Sequence, residues 1–133
     1  MAETEMKWYV MRAISGKESK VKQYAVTNGT KVAQDRKLAK SGLIDLFDGV
    51  FISEEVGAEK PSQIFFDKVF DTIGQYEKEE VLIVGDSLSS DMLGGNNAGI
   101  LCCWYDRGID QPPHNLKIDY RIGDLHKVLD IIG

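Results

Sequence analysis

The sequence holds only two cysteines, Cys102 and Cys103, and they are adjacent. Neighbouring cysteines rarely form a useful disulfide, and two are too few for a disulfide framework. Both fall in the apolar run 100–104, so core packing is favoured over redox chemistry. No N-terminal apolar stretch resembles a signal peptide, and no run approaches the length of a membrane span. A cytoplasmic location without membrane association is the resulting expectation. Basic charge is not in excess either: 16 Lys and Arg stand against 21 Asp and Glu, for a net charge of −5. That balance favours solubility and argues against a broad nucleic-acid footprint. The basic residues between Lys7 and Lys40 are read as a solvated helix face. No internal repeat or low-complexity segment is present. One absence is local: the chain carries no Asp or Glu between Glu5 and Glu18.

What is present fits one ordinary domain. The chain has 133 residues, 43% hydrophobic and 28% charged, the balance of a soluble globular protein. A chain this long buries roughly two thirds of its unfolded surface, so its core needs no staples. Strand-like and helix-like segments alternate from end to end. Residues 8–14 are apolar and β-prone. Residues 15–23 are polar and helix-compatible, with Ser15 and Glu18 in a capping-box pattern. Residues 24–27 form a short strand closed by Asn28 and Gly29. Residues 30–40 read as a helix capped by Thr30 and stopped by Gly42. Residues 50–53 are a third strand. Pro61 marks a helix start, and Ile64, Phe65, Val69, Phe70 and Ile73 give that helix a buried face until Gly74. Residues 81–84 are a continuous apolar strand, expected to be covered on both sides. Residues 89–98 read as a helix weakened by two glycines, and 100–104 as a fifth strand. Pro112 and Pro113 mark a loop. Residues 120–122 and 125–132 close the chain as a short edge strand and a final helix. Repeated βα units imply an α/β domain with a parallel sheet of five or six strands between helices. In such sheets the chemistry gathers at the carboxyl ends of the strands. Ser15, Thr27 and Asp86 each follow a predicted strand directly.

Three segments carry candidate chemistry. Gly85-Asp86-Ser87-Leu88-Ser89-Ser90-Asp91 delivers Asp86 from a buried strand, and Asp91 returns from the next helix. Two carboxylates so placed suit a hard cation such as Mg²⁺. Alternatively, Ser87, Ser89 and Asp91 merely cap a helix, and taken alone the two readings weigh equally. Thr27-Asn28-Gly29 offers a hydroxyl and backbone N–H groups leading into a helix, which suits phosphate. Alone it reads more simply as a turn. Lys60-Pro61 would place an ammonium where it could neutralise anionic oxygens. Alone it reads as an exposed loop lysine.

The set is more specific than its parts. In this order and on these elements, the three segments resemble the haloacid dehalogenase (HAD) superfamily of phosphatases, from about residue 24 to the end. Ser41-Gly42-Leu43, Phe47-Asp48, Ile52-Ser53-Glu54, Gly57-Ala58-Glu59 and the run 94–99 share the likeness. Its nearest flavour is that of nucleotide 5′-phosphatases and phosphoglycolate phosphatases. The resemblance implies a Rossmann-like three-layer sandwich with strand order 3-2-1-4-5-6. It implies that Thr27, Asn28 and Lys60 hold a phosphate or small phosphorylated molecule. It implies that Asp86 ligates Mg²⁺ and that Asp91 supports the metal or the lysine. Residues 1–24 instead resemble the start of NusG-type transcription factors, through Lys7-Trp8-Tyr9-Val10 and the Gly16-Lys17-Glu18 segment. The rest of that domain is missing, so polymerase binding is not carried over. The chain thus reads as a chimera within a single domain, in which residues 1–24 replace the first HAD strand and no cap insert follows it.

The HAD pattern ends its first strand in Asp-x-Asp-Gly. Alignment on Gly16 puts Ala13 at the nucleophile position and Ser15 at the general acid/base position. Alanine can neither attack phosphorus nor ligate a metal, and serine has the wrong acidity for proton transfer. The expectation is a phosphatase core without efficient turnover, with a residual phosphate site and weakened Mg²⁺ binding. The alternatives are an Mg²⁺-dependent phosphomonoesterase with residual activity, recruiting another nucleophile, and a transcription-related interaction module. The connection between the first two strands is about as short as a βαβ crossover allows. Strand exchange or a homodimer is one way out of that constraint.

Overall fold

A computed structural model describes residues 10–14, 21–42, 44–74 and 77–132. Six strands form one sheet in the order β3-β2-β1-β4-β5-β6. They are β1 (Val10–Ile14), β2 (Val21–Thr27), β3 (Gly49–Ile52), β4 (Val81–Gly85), β5 (Leu101–Tyr105) and β6 (Tyr120–Ile122). The helices are α1 (Lys31–Ser41), α2 (Ser53–Val56), α3 (Gln63–Ile73), α4 (Leu93–Ala98) and α5 (Val128–Ile132). The strand order is the one implied by the HAD resemblance. Among the described residues no helix is long and apolar enough to cross a membrane.

The direction of β1 differs from expectation. β2 and β3 are parallel, as are β4, β5 and β6, but β1 runs antiparallel to both β2 and β4. Chain length explains this. A parallel crossover takes a dozen or more residues, whereas antiparallel neighbours need only a short link. Residues 15–20 are all that separates β1 from β2. The same pairing corrects the expected helix 15–23, because Val21, Lys22 and Gln23 already pair within the sheet. β2 therefore begins at Val21 rather than at residue 24. Ser15, the capping pattern, Trp8 and Tyr9 lie outside the described residues.

The layers follow from alternation along β4, every residue of which is buried. Val81 and Ile83 pack with Phe65, Phe66 and Val69 of α3, and with Met92, Ala98, Cys102 and Trp104. Leu82 and Val84 pack on the other face with Cys103, Ile122 and Val128, the last from α5. Burying one such apolar side chain contributes about 1.5–3 kcal/mol, so the α3 face anchors its layer. Ser62 caps α3 by accepting from the Ile64 N–H at 3.1 Å, so Pro61 stands just outside the helix rather than at its first position. Thr30 caps α1 as expected, accepting from the Ala33 N–H at 3.2 Å.

The predicted helix 89–98 is in two parts. Leu88–Met92 is a π-helical turn, and α4 follows it. In that turn the Asp91 and Met92 N–H groups both donate to Ser87 O, at 3.1 and 3.0 Å. Gly95 is a packing requirement rather than a weakness. A Cβ there would stand 2.7 Å from Ile83 Cγ2 and 2.5 Å from Cys102 Sγ. α4 can lie this close to the sheet only without that side chain.

Candidate functional site

The carboxyl ends of β2 and β4 bring the predicted residues together. Thr27 ends β2 and Gly85 ends β4, so Asn28 and Asp86 both leave the sheet at this edge. Lys60 comes from the loop before α3, and Asp91 from the π-helical turn. Thr27, Lys60 and Asp91 are all buried.

Asn28 holds the Lys60 loop by both backbone groups. Its Nδ2 donates to Lys60 O at 3.1 Å, and its Oδ1 accepts from the Lys60 N–H at 2.9 Å. The loop returns Lys60 Nζ to the end of β2, where it donates to Val26 O at 3.0 Å. Gln34 Nε2 donates to Asn28 O at 3.0 Å, and the Thr27 hydroxyl donates to the same oxygen at 3.3 Å. Ser53, at the start of α2, accepts from the Gly29 N–H at 2.8 Å. The Thr-Asn-Gly turn is thus braced by α1, α2 and the lysine loop together.

Lys60 Nζ donates to Asp91 Oδ1 at 2.6 Å, with the two side chains 1% and 0% exposed. Asp91 Oδ2 accepts from the Ser87 N–H at 3.3 Å. The carboxylate lies so near the end of β4 that a Cβ on Gly85 would collide with it. Burial pulls the Lys60 ammonium below its ordinary pKa and lifts the Asp91 carboxyl above its own. The attraction between the two opposes both shifts. The loop lysine of the isolated reading is therefore a buried cation with a committed partner.

Asp86 is arranged differently. Its backbone oxygen accepts from Trp104 Nε1 at 3.2 Å, and its Oδ2 faces Arg107 Nη1 at 3.2 Å. Arg107 is the site residue that the motifs did not flag. It follows β5, and the rule that chemistry gathers at carboxyl strand ends applies to β5 as well as to β2 and β4.

Ala13 is not brought to this edge. It pairs with Lys22 and Val81, at the amino ends of β2 and β4. Val10 is the β1 residue nearest the crevice, opposite Ala25 and Val84. The assignment of Ala13 to the nucleophile position fails because the strand runs the other way. Ser15 lies outside the described residues.

The side chains also fail to make a ready cation site. Among the described residues no group of three or more His, Cys, Asp or Glu side chains could hold a metal ion. Both oxygens of Asp91 already accept hydrogen bonds, from Lys60 and from Ser87. Asp91 is thus paired with Lys60, one of the two roles expected of it. Asp86, the other member of the expected pair, already faces a guanidinium.

A family model described as haloacid dehalogenase-like hydrolase matches residues 9–105. The chain belongs to the haloacid dehalogenase-like hydrolase family. Residues 9–24 fall inside that match, and the NusG likeness of residues 1–24 finds no support in the comparisons. The pyrimidine 5′-nucleotidase PynA of Streptococcus pneumoniae is 45% identical over 94 residues, 71% of this chain and 37% of that protein. The pyrimidine 5′-nucleotidase YjjG of Escherichia coli is 36% identical over 107 residues, 80% of this chain and 48% of that protein. Among solved HAD structures, magnesium-bound YfnB of Bacillus subtilis superposes with a TM-score of 0.79 at 36% identity. That alignment covers 83% of this chain and 48% of YfnB. The chain spans about half the length, or less, of the relatives it matches.

Proposed function

We propose that this chain is a phosphate-binding HAD core that does not turn its ligand over. The observation that carries the reading is the strand between β2 and β4. It reads Val10-Met11-Arg12-Ala13-Ile14, contains no carboxylate, and runs opposite to its neighbours. An acyl-phosphate mechanism needs an anionic nucleophile within reach of phosphorus. β1 supplies none, and Asp91 is committed to Lys60.

The binding half of the chemistry is better supported. Thr27, Asn28 and Lys60 are gathered at one edge beside the start of α1. A phosphate there would draw the Thr27 hydroxyl from Asn28 O and share the Lys60 ammonium with Asp91, beside the backbone N–H groups of the turn. The nucleotidase relatives make a pyrimidine nucleoside 5′-monophosphate the first ligand to try, with inorganic phosphate as the minimal probe. Mg²⁺, when bound, would neutralise phosphate oxygens, but no step is assigned to it because the donor set does not fit. Asp86 would then be its one anchoring carboxylate from the expected pair.

Two measurements test the reading. Calorimetric titration with inorganic phosphate is expected to show weak binding that Lys60→Met removes. An assay with an aryl phosphate and Mg²⁺ is expected to show no turnover above background. Turnover that Asp86→Asn abolishes would instead establish an Mg²⁺-dependent phosphomonoesterase. Absence of phosphate binding would remove the binding half.

A further inference from the structure

Asp86 and Arg107 meet at the mouth of the crevice, with Oδ2 and Nη1 3.2 Å apart and the side chains 11% and 39% exposed. The carboxylate's backbone is held in place by the Trp104 indole, itself buried. Arg107 stands just beyond the end of β5, so two adjacent parallel strands bring the partners together. Behind them lies the closed Lys60–Asp91 pair. The Asp86 charge acts on both members of that pair. Lys60 and Arg107 thus each stand against one carboxylate, Asp91 and Asp86, and Asp110 lines the adjoining cavity.

We infer that Arg107 is the cation this chain itself supplies to Asp86, so that a divalent metal reaches that carboxylate only by displacing the guanidinium. Space is not the obstacle. A cavity of about 360 Å³ opens beside the pair, lined by Ser87, Ser89, Ile109 and Asp110 among others. Charge is the obstacle. A carboxylate already paired with a cation attracts a further cation less than an unpaired one would. A guanidinium is also weakly hydrated and loses little on pairing, whereas Mg²⁺ gives up its waters reluctantly.

This inference concerns the crevice of the proposed function, but it is decided by metal binding alone and not by phosphate or turnover. The probe is Mn²⁺ in the absence of other ligands, followed by electron paramagnetic resonance, with Mg²⁺ calorimetry beside it. The variants are Arg107→Met, Arg107→Lys, Asp86→Asn and the Asp86→Asn/Arg107→Met double variant. Arg107→Met is expected to bind the metal at least about tenfold more tightly than the parent chain. Arg107→Lys retains a cation and stays near the parent affinity. The double variant loses the gain. Equal affinities for the parent and Arg107→Met overturn the inference, as does a gain that survives Asp86→Asn. Should Arg107→Met not fold, Arg107→Gln removes the charge while keeping a polar tip, and the same outcomes apply.

Discussion

Lys60 Nζ lies 2.6 Å from Asp91 Oδ1, and neither side chain is more than 1% exposed. A pair this deep is costly to break from one side, because the remaining charge is left in a poorly solvated place. Lys60→Met is expected to cost about 3–5 kcal/mol at pH 7. The cost should shrink on acidification, and the sign follows from Asp91. Its carboxyl is already raised by burial, and Lys60 is what holds it down. Without Lys60 the folded-state pKa rises further. A group raised in the folded state contributes stability at low pH and loses it as pH climbs through the folded pKa. Urea melts of Lys60→Met and the parent at pH 7 and pH 5 should therefore converge at the lower pH. A penalty that grows on acidification contradicts the pairing.

Asn28 is expected to matter through the Lys60 loop. Its amide makes two hydrogen bonds, to Lys60 N and Lys60 O, both partly buried. Asn28→Ala leaves those two backbone groups without the side chain that satisfied them. The expected loss is about 1–3 kcal/mol of stability, together with weaker phosphate binding as Lys60 loses its placement. Asn28→Asp restores one acceptor but no donor, and should fall between the two. Thermal melts and phosphate titration of the three proteins check the order.

Cys102 and Cys103 are expected to be chemically silent in the folded chain. Both are free, buried and raised by burial to about 11. At pH 8 about one part in a thousand of such a thiol is ionised, and the thiolate is the reactive form. A colorimetric thiol reagent should find no reactive group in the native protein, and both after denaturation. Rapid labelling of the native protein would mean that α4 and β5 open locally.

Most of the fold is legible in the sequence because its signals are local. The apolar run of β4, the Thr30 cap and the glycines at 42 and 74 mark their elements without reference to the rest of the chain. Thr27, Asn28, Lys60 and Asp86 are legible as a set because each follows or precedes a marked element. Three things are not legible there. The direction of β1 depends on the length of its link to β2, and an apolar run alone fits a sheet in either direction. The burial of Lys60 depends on Asn28 and Asp91, at positions 28 and 91 of the chain, and no local pattern signals an ion pair across that separation. Arg107 escaped notice for a similar reason: one arginine in a loop is distinctive only beside the aspartate it meets.

The direction of β1 makes a prediction about rescue. If residues 13 and 15 stood at a nucleophile edge, Ala13→Asp with Ser15→Asp would restore the carboxylate pair and create hydrolysis. Ala13 instead pairs with Lys22 and Val81, at the far end of the neighbouring strands. A carboxylate there is separated from Asp86 by the length of β4, since Val81 opens that strand and Gly85 closes it. A strand rises about 3.3 Å per residue, so the gap exceeds any hydrogen-bonding or metal-bridging reach. Ala13→Asp/Ser15→Asp is therefore expected to show no Mg²⁺-dependent release of phosphate from an aryl phosphate. It should also be no more stable than the parent, because one of the two added charges, at position 13, stands between the ladders of two strands. Hydrolysis by that variant, lost again with Asp86→Asn, would require β1 to run parallel to β2 and β4.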